Sequence, residues 1–147
     1  FNVEKADIIT YNNLINKNVL NIMTENNCDH LVFFSSINVF ESNNKFTHAK
    51  IDGLDQMSGY ALSKAIGELF FANWIKNLMV IRPTNIFGKS QMRMHEKFGE
   101  SHVIPDLQRK IEIALDEIEV FGDGSQVRNF IHVQDVVRFV VKNMAAE

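Results

Sequence analysis

Residues 30–36 read His30-Leu31-Val32-Phe33-Phe34-Ser35-Ser36, a short apolar run that stops at two hydroxyls. Runs of this kind mark strands buried on both faces, because helices flanking a parallel sheet hide both sides of every strand. A second run, Leu78 to Ile81, is closed by Pro83, which lacks the backbone donor a ladder needs. Between the two, residues from about Ser58 to Lys76 predict a helix with Ala61, Ala65, Leu69, Phe70 and Trp74 available for packing. Ahead of the first strand, Leu14, Ile15, Val19, Ile22 and Met23 recur at helical spacing and predict an amphipathic helix from about Tyr11 to Asn26. The alternation of helix and strand predicts an α/β fold with a parallel sheet.

The rest of the chain follows the same pattern. Polar connections run from Ile37 to Met57 and from Gly88 to Ser101, long enough to lie over a site. A helix is expected from about Val103 to Leu115, with Pro105 in its first turn, where a missing N–H does no harm. Ile118 to Phe121 reads as extended and is followed by the turn Gly122-Asp123-Gly124-Ser125. A short strand, Asn129 to His132, and a helix from about Gln134 to Met144 complete the order.

Composition narrows the function. The chain has 147 residues, 46% of them hydrophobic, which is enough for a core. A net charge of −3, from 15 basic and 18 acidic side chains spread along the sequence, offers no basic stripe to a phosphate backbone, so no nucleic-acid partner is expected. No apolar run approaches the roughly 20 residues that span a bilayer, and the first residues carry no signal-peptide pattern. A single cysteine, Cys28, excludes an internal disulfide and suits a reducing, cytoplasmic setting; it is expected to be buried or half-buried before its strand. The five histidines are scattered without ligand spacing, so no metal site is read.

Chemistry concentrates on three residues. Tyr60 and Lys64, four apart in YALSK, project from one face of the expected helix. An ammonium beside a phenol favours the phenolate, which makes Tyr60 a candidate general acid/base. Ser36, ending the first strand, is placed to hydrogen-bond the substrate oxygen that Tyr60 would protonate or deprotonate. Alone, Tyr-x-x-x-Lys is a weak signal, and a serine at a strand end often just satisfies a backbone group.

The four segments FFSSINVF, YALSK, RPTNIFG and GDGSQVRNFIHVQDVV, in that order, resemble the extended short-chain dehydrogenase/reductases, the NAD-dependent epimerase/dehydratase family of nucleotide-sugar enzymes. The resemblance covers nearly the whole chain. It implies a Rossmann-like parallel sheet at residues 1–88 carrying the catalytic residues, and segments of a substrate domain with a returning strand-helix unit at 89–147. Ser36, Tyr60 and Lys64 would be catalytic; Ser35, Tyr60, Lys64 and Pro83 would meet NAD or NADP. Asn85, His102, Val103, Leu107, Lys110 and Arg128 would hold a nucleotide-sugar substrate, Arg128 through its diphosphate, for which a planar guanidinium is suited. His132 and Asp135, of the same motif, are expected to organise a strand-to-helix junction.

Within that family, 4,6-dehydratases carry an acidic pair after the serine, and GDP-fucose synthases a cysteine two residues after it. Here Ile37-Asn38 stands there, and neither side chain transfers a proton. Dehydration and double epimerisation are thereby disfavoured. Hydride exchange at one sugar carbon, commonly carbon 4, is compatible, as a 4-ketoreductase, favoured by the Ser101-His102-Val103-Ile104-Pro105 stretch, or as a 4-epimerase. A non-catalytic dinucleotide-binding sensor or structural protein is the reading from another class. All seven glycines lie from Gly53 onward, so the glycine-rich pyrophosphate turn of such folds is absent and an internal fragment of a longer enzyme is expected, inactive by itself. The resemblance further implies a homodimer of the whole protein.

Overall fold

Ser58 begins the helix on which the site depends. Its backbone is extended (φ −60°, ψ 157°) and its Oγ accepts the N–H of Ala61 at 3.2 Å, satisfying one of the donors that a helix start leaves open. Replacing Ser58 by Ala is expected to cost about 1 kcal/mol, read as a lower urea midpoint at unchanged slope. The computed structural model describes residues 3–40, 57–89 and 102–144. Most of the two long polar connections, and Ser101, lie outside them. The chain divides into two compact units, Phe1–Thr84 with Asn143–Glu147, and Asn85–Lys142.

In the first unit, α1 (Val3–Glu25) leads to β1 (His30–Phe34), a 3-10 turn (Ile37–Phe40), α2 (Gly59–Trp74) and β2 (Asn77–Ile81). The strands pair in parallel, His30 opposite Asn77 and Phe34 opposite Ile81. Asn27 ends α1 by taking a positive φ of 52°, a conformation asparagine tolerates, and the Cys28 N–H then reaches back to the Met23 carbonyl at 2.8 Å. Cys28, on this reversal, is exposed rather than buried.

The α1 helix is eight residues longer at its start than the sequence predicts, and only part of its expected apolar face, Val19 and Met23, turns inward. Leu14, Ile15 and Ile22 are exposed, while Asn16 is buried and Val19, Leu20 and Met23 pack inward. The reason lies on α2, whose buried stripe is small: Gly59, Ser63 and Gly67, every fourth residue, turn toward α1. Asn12 donates its Nδ2 to Ser63 Oγ at 2.8 Å, and Ser63 Oγ donates to the Tyr60 carbonyl at 2.8 Å. A polar face on α1 thus meets a hydroxyl on α2 and a close backbone. Ala61 and Ala65 join Val39 and Met57 in one apolar cluster; Phe71, Ile75 and Met23 centre another, against Phe33 of β1. Trp74 and Leu69, expected to pack, point outward, because the inward positions of the helix are already filled.

The second unit contains β3 (Asn85–Phe87), α3 (Val103–Ile113), β4 (Phe130–His132) and all but the last two residues of α4 (Val133–Met144). β3 and β4 pair in parallel, Asn85 opposite Phe130 and Phe87 opposite His132. β3 is a strand the sequence reading lacked, and Ile118–Phe121, read as extended, forms no strand. Its backbone finds a side chain instead: Lys110 Nζ donates to the Glu119 carbonyl at 2.9 Å. Pro105 lies in the first turn of α3, as expected.

Candidate active site

The carboxyl end of the β1–β2 pair collects the residues of interest in the first unit. Ser35, just past β1, donates its N–H to the Ile81 carbonyl at 2.8 Å, and its buried Oγ has no partner among the described residues. Ser36 is buried, and its Oγ accepts the N–H of Asn38 at 3.2 Å. A hydroxyl whose lone pair is used in this way keeps its proton to donate. The Pro83 carbonyl accepts the Ile37 N–H at 3.1 Å, which ties the turn after Ser36 to the chain leaving β2.

Tyr60 and Lys64 lie one turn apart on α2. Lys64 Nζ donates to the Phe34 carbonyl at 2.9 Å, lies 5.8 Å from the centre of the Tyr60 ring and 5.3 Å from that of Phe33. Three constraints from two elements thus hold the ammonium between the strand end and the phenol ring. Tyr60 is 43% exposed, so its ring is open to a ligand. Partial burial lowers the Lys64 pKa below its ordinary value. A lysine whose pKa falls on folding makes the unfolded chain the better proton binder, so this group's contribution to stability rises with pH between the lowered value and the ordinary one. Lys64→Met should flatten that alkaline rise in the melting temperature; an identical pH profile in the variant would show that Lys64 contributes nothing to it.

Two residues given no role from sequence adjoin this site. Arg82 Nε and Nη2 meet Glu68 Oε1 and Oε2 at 2.9 and 2.5 Å, a bidentate fork, and the guanidinium lies 4.9 Å from the centre of the Phe40 ring. Glu68 hydrogen bonding holds the Arg82 pKa above its ordinary value. The signal was present in the sequence: Tyr60, Lys64 and Glu68 continue one stripe at intervals of four.

The remaining candidates lie in the second unit. Asn85 is exposed at the start of β3, with its Nδ2 donating to the Asn129 carbonyl at 3.0 Å. His102 is the exposed residue preceding α3, and Val103 and Leu107 follow it on that helix, half-exposed and half-buried. Lys110 is buried, with its ammonium 3.5 Å from Asp106 Oδ2, bonded to the Glu119 carbonyl and 4.3 Å from the centre of the Phe121 ring. It is engaged within its own unit. Arg128 is exposed ahead of β4. His132 Nδ1 accepts the Gln134 N–H at 3.2 Å, and Asp135 pairs with Arg138 in the first turn of α4, both at the strand-to-helix junction.

Comparison with known proteins gives a consistent picture. The chain is 30% identical over 148 residues to a dTDP-4-dehydro-6-deoxy-D-allose reductase of Streptomyces sp, covering 94% of this chain and 44% of that one. It is 27% identical over 150 residues to the GDP-L-fucose synthase of Escherichia coli (strain K12), covering 92% and 45% respectively. A putative UDP-glucose 4-epimerase of Methanocaldococcus jannaschii is 29% identical over 126 residues, 82% of this chain and 40% of that one. The chain spans less than half the length of these relatives. Residues 2–147 match the model of the NAD dependent epimerase/dehydratase family, and with parallel strands, the Ser36 turn and Tyr60 beside Lys64 in place, the chain belongs to that family.

Proposed function

We propose that the protein is a nucleotide-sugar oxidoreductase that exchanges hydride between a nicotinamide cofactor and a sugar carbon, in the first place as a 4-ketoreductase. The observation that carries this reading is the Lys64 ammonium, fixed by the Phe34 carbonyl at 2.9 Å and 5.8 Å from the centre of the Tyr60 ring. A binding module gains nothing from a charge held beside an open phenol. The 4-epimerase is the second reading, supported by the relative named as a UDP-glucose 4-epimerase. The relatives named as a 4-dehydro-6-deoxy-sugar reductase and a fucose synthase support the first.

The residues fit a nicotinamide nucleotide. Ser35 offers a buried hydroxyl without a partner among the described residues, and Lys64 has N–H groups beyond the one given to Phe34. With Tyr60 and the backbone at Pro83, these are the groups that would hold NAD or NADP at the carboxyl end of a parallel sheet, where ligands of open α/β folds bind. When bound, the cofactor supplies or accepts the hydride.

The chain's own residues move the proton. Ser36, its oxygen occupied by the Asn38 N–H, donates its hydroxyl hydrogen to the sugar oxygen and orients it. Tyr60 delivers a proton to that oxygen in reduction, or takes it in oxidation, and Lys64 stabilises the charge left on the phenol. Asn85, His102, Val103, Leu107, Lys110 and Arg128 are the proposed contacts to the nucleotide sugar; for Lys110, its bonds to Asp106 and Glu119 favour a part in shaping that surface.

Assays of the whole protein decide between the readings. With a dTDP- or GDP-linked 4-keto-6-deoxy sugar, a reductase oxidises one NADPH or NADH per turnover, seen as loss of nicotinamide absorbance. An epimerase interconverts a UDP-hexose with no net change. Neither reaction in the pure protein would remove both. Lys64→Met should lower turnover by about 10²-fold, within the range for positioned acid-base groups, and weaken cofactor binding as well.

A homodimer and a cytoplasmic location belong to the same proposal. Tyr11, Leu14, Ile15 and Ile22 form an exposed apolar stripe along α1 that a second copy can cover, and the single cysteine suits a reducing compartment. Among the described residues, no helix is long and apolar enough to cross a membrane.

A further inference from the structure

We infer that Glu68 and Arg82 are positioning residues for the proton-transfer site, a clamp that fixes the Tyr60–Lys64 face of α2 against the turn carrying Ser36. The inference rests on the catalytic reading of Tyr60 and Lys64 and adds the device that sets their distance from Ser36.

Three contacts converge on Arg82. Its guanidinium takes both carboxylate oxygens of Glu68, at 2.9 and 2.5 Å, and lies 4.9 Å from the centre of the Phe40 ring. Its neighbour Pro83 receives the Ile37 N–H at 3.1 Å. The helix, the exit of β2 and the Phe40 end of the 3-10 turn at Ile37–Phe40 therefore meet at one side chain, and the Ile37 end is held by the backbone of the next residue, Pro83. Glu68 is one turn beyond Lys64 on α2, which is one turn beyond Tyr60. A rotation or slide of α2 that displaced Tyr60 would have to break the fork. The Glu68 and Arg82 side chains are only 11% and 27% exposed, so water does little to replace the bonds. A planar fork fixes direction as well as distance, which a single lysine bond would not.

The test uses the whole protein and Arg82→Met, Glu68→Gln and their combination. Arg82→Met is expected to lower kcat by about 10- to 100-fold, the scale of a misplacement near 1 Å, with the KM for nicotinamide cofactor within about threefold because no cofactor contact is removed. If the two residues form one clamp, the double variant is no slower than the worse single one. Folded single variants with kcat within about twofold of wild type, or effects that multiply in the double variant, would overturn the proposal. Should Arg82→Met not fold, Arg82→Lys decides: kcat near wild type, or a second failure to fold, makes the pair merely structural. Hydrogen exchange separates this idea from the enzyme assignment. Even in a protein that turns over no nucleotide sugar, Arg82→Met should speed exchange at residues 37–40 and 60–64 while leaving α1 protected, and unchanged exchange there would overturn the clamp.

Discussion

Tyr60→Phe is expected to lower the proposed turnover of the whole protein by about 10³-fold, within the range for a lost general acid/base, while cofactor affinity stays within a few-fold. The substitution removes one hydroxyl and nothing else. The ring remains on α2, where Lys64 keeps its place 5.8 Å from its centre and its bond to the Phe34 carbonyl. Because Tyr60 is 43% exposed, little buried packing depends on the hydroxyl, and the melting temperature should hardly move. A large kinetic loss at constant stability is the mark of a group acting on the substrate. Single-turnover traces of nicotinamide absorbance measure the rate, and quenching of protein fluorescence measures cofactor binding. Turnover within about twofold of wild type would mean that the proton comes from elsewhere, and the general acid/base role of Tyr60 would fall.

The placement of the proposed proton-transfer residues was legible because it is written in short spacings. Tyr60 and Lys64 are one helical turn apart, so their common face follows from helix geometry alone. Ser36 ends an apolar run, so its position at a strand end follows from the run. Arg82 and Glu68 were harder to see, since their fork joins residues 14 positions apart that belong to different elements. Nothing within either element demands the other.

The fold shows the same division. The strand His30–Phe34 declared itself by the apolar run Leu31–Phe34, although its ends, His30 and Phe34, are exposed rather than buried on both faces as expected, whereas Asn85–Phe87 is three residues long and is defined by its pairing with Phe130–His132. The Leu14, Ile15 and Ile22 side of α1 was misread because hydrophobic periodicity assumes that polar side chains point to water. Asn12 points inward because a hydroxyl 51 residues away receives its amide, and Asn16 is buried beside Gly67. Of the apolar residues of α1 that looked like core, Val19 and Met23 pack inward, whereas Leu14, Ile15 and Ile22 are exposed. Periodicity locates a helix with two faces; the partner decides which one is buried.

Gly67→Leu tests that partner directly and is expected to destabilise the protein by about 3 kcal/mol or more, at the upper end for overpacking. A Cβ at residue 67 would lie 2.6 Å from Phe33 Cζ and 3.0 Å from Asn16 Nδ2. Neither neighbour moves freely. The Phe33 ring centre is 5.1 Å from that of Phe71, the Lys64 ammonium is 5.3 Å away, and its backbone is paired with Val80 in β2. Gly67→Ala is the sharper variant, because in an open helix it would stabilise by about 1 kcal/mol. Here the clash should reverse the sign, giving a net loss of about 1 kcal/mol once the overpacking cost is set against the propensity gain. Since Phe33 also borders Lys64, the alanine variant should lose activity as well as stability. A urea midpoint above wild type for Gly67→Ala would show that α1 and β1 can draw back, and the close helix contact would then no longer explain why α1 turns its asparagines inward.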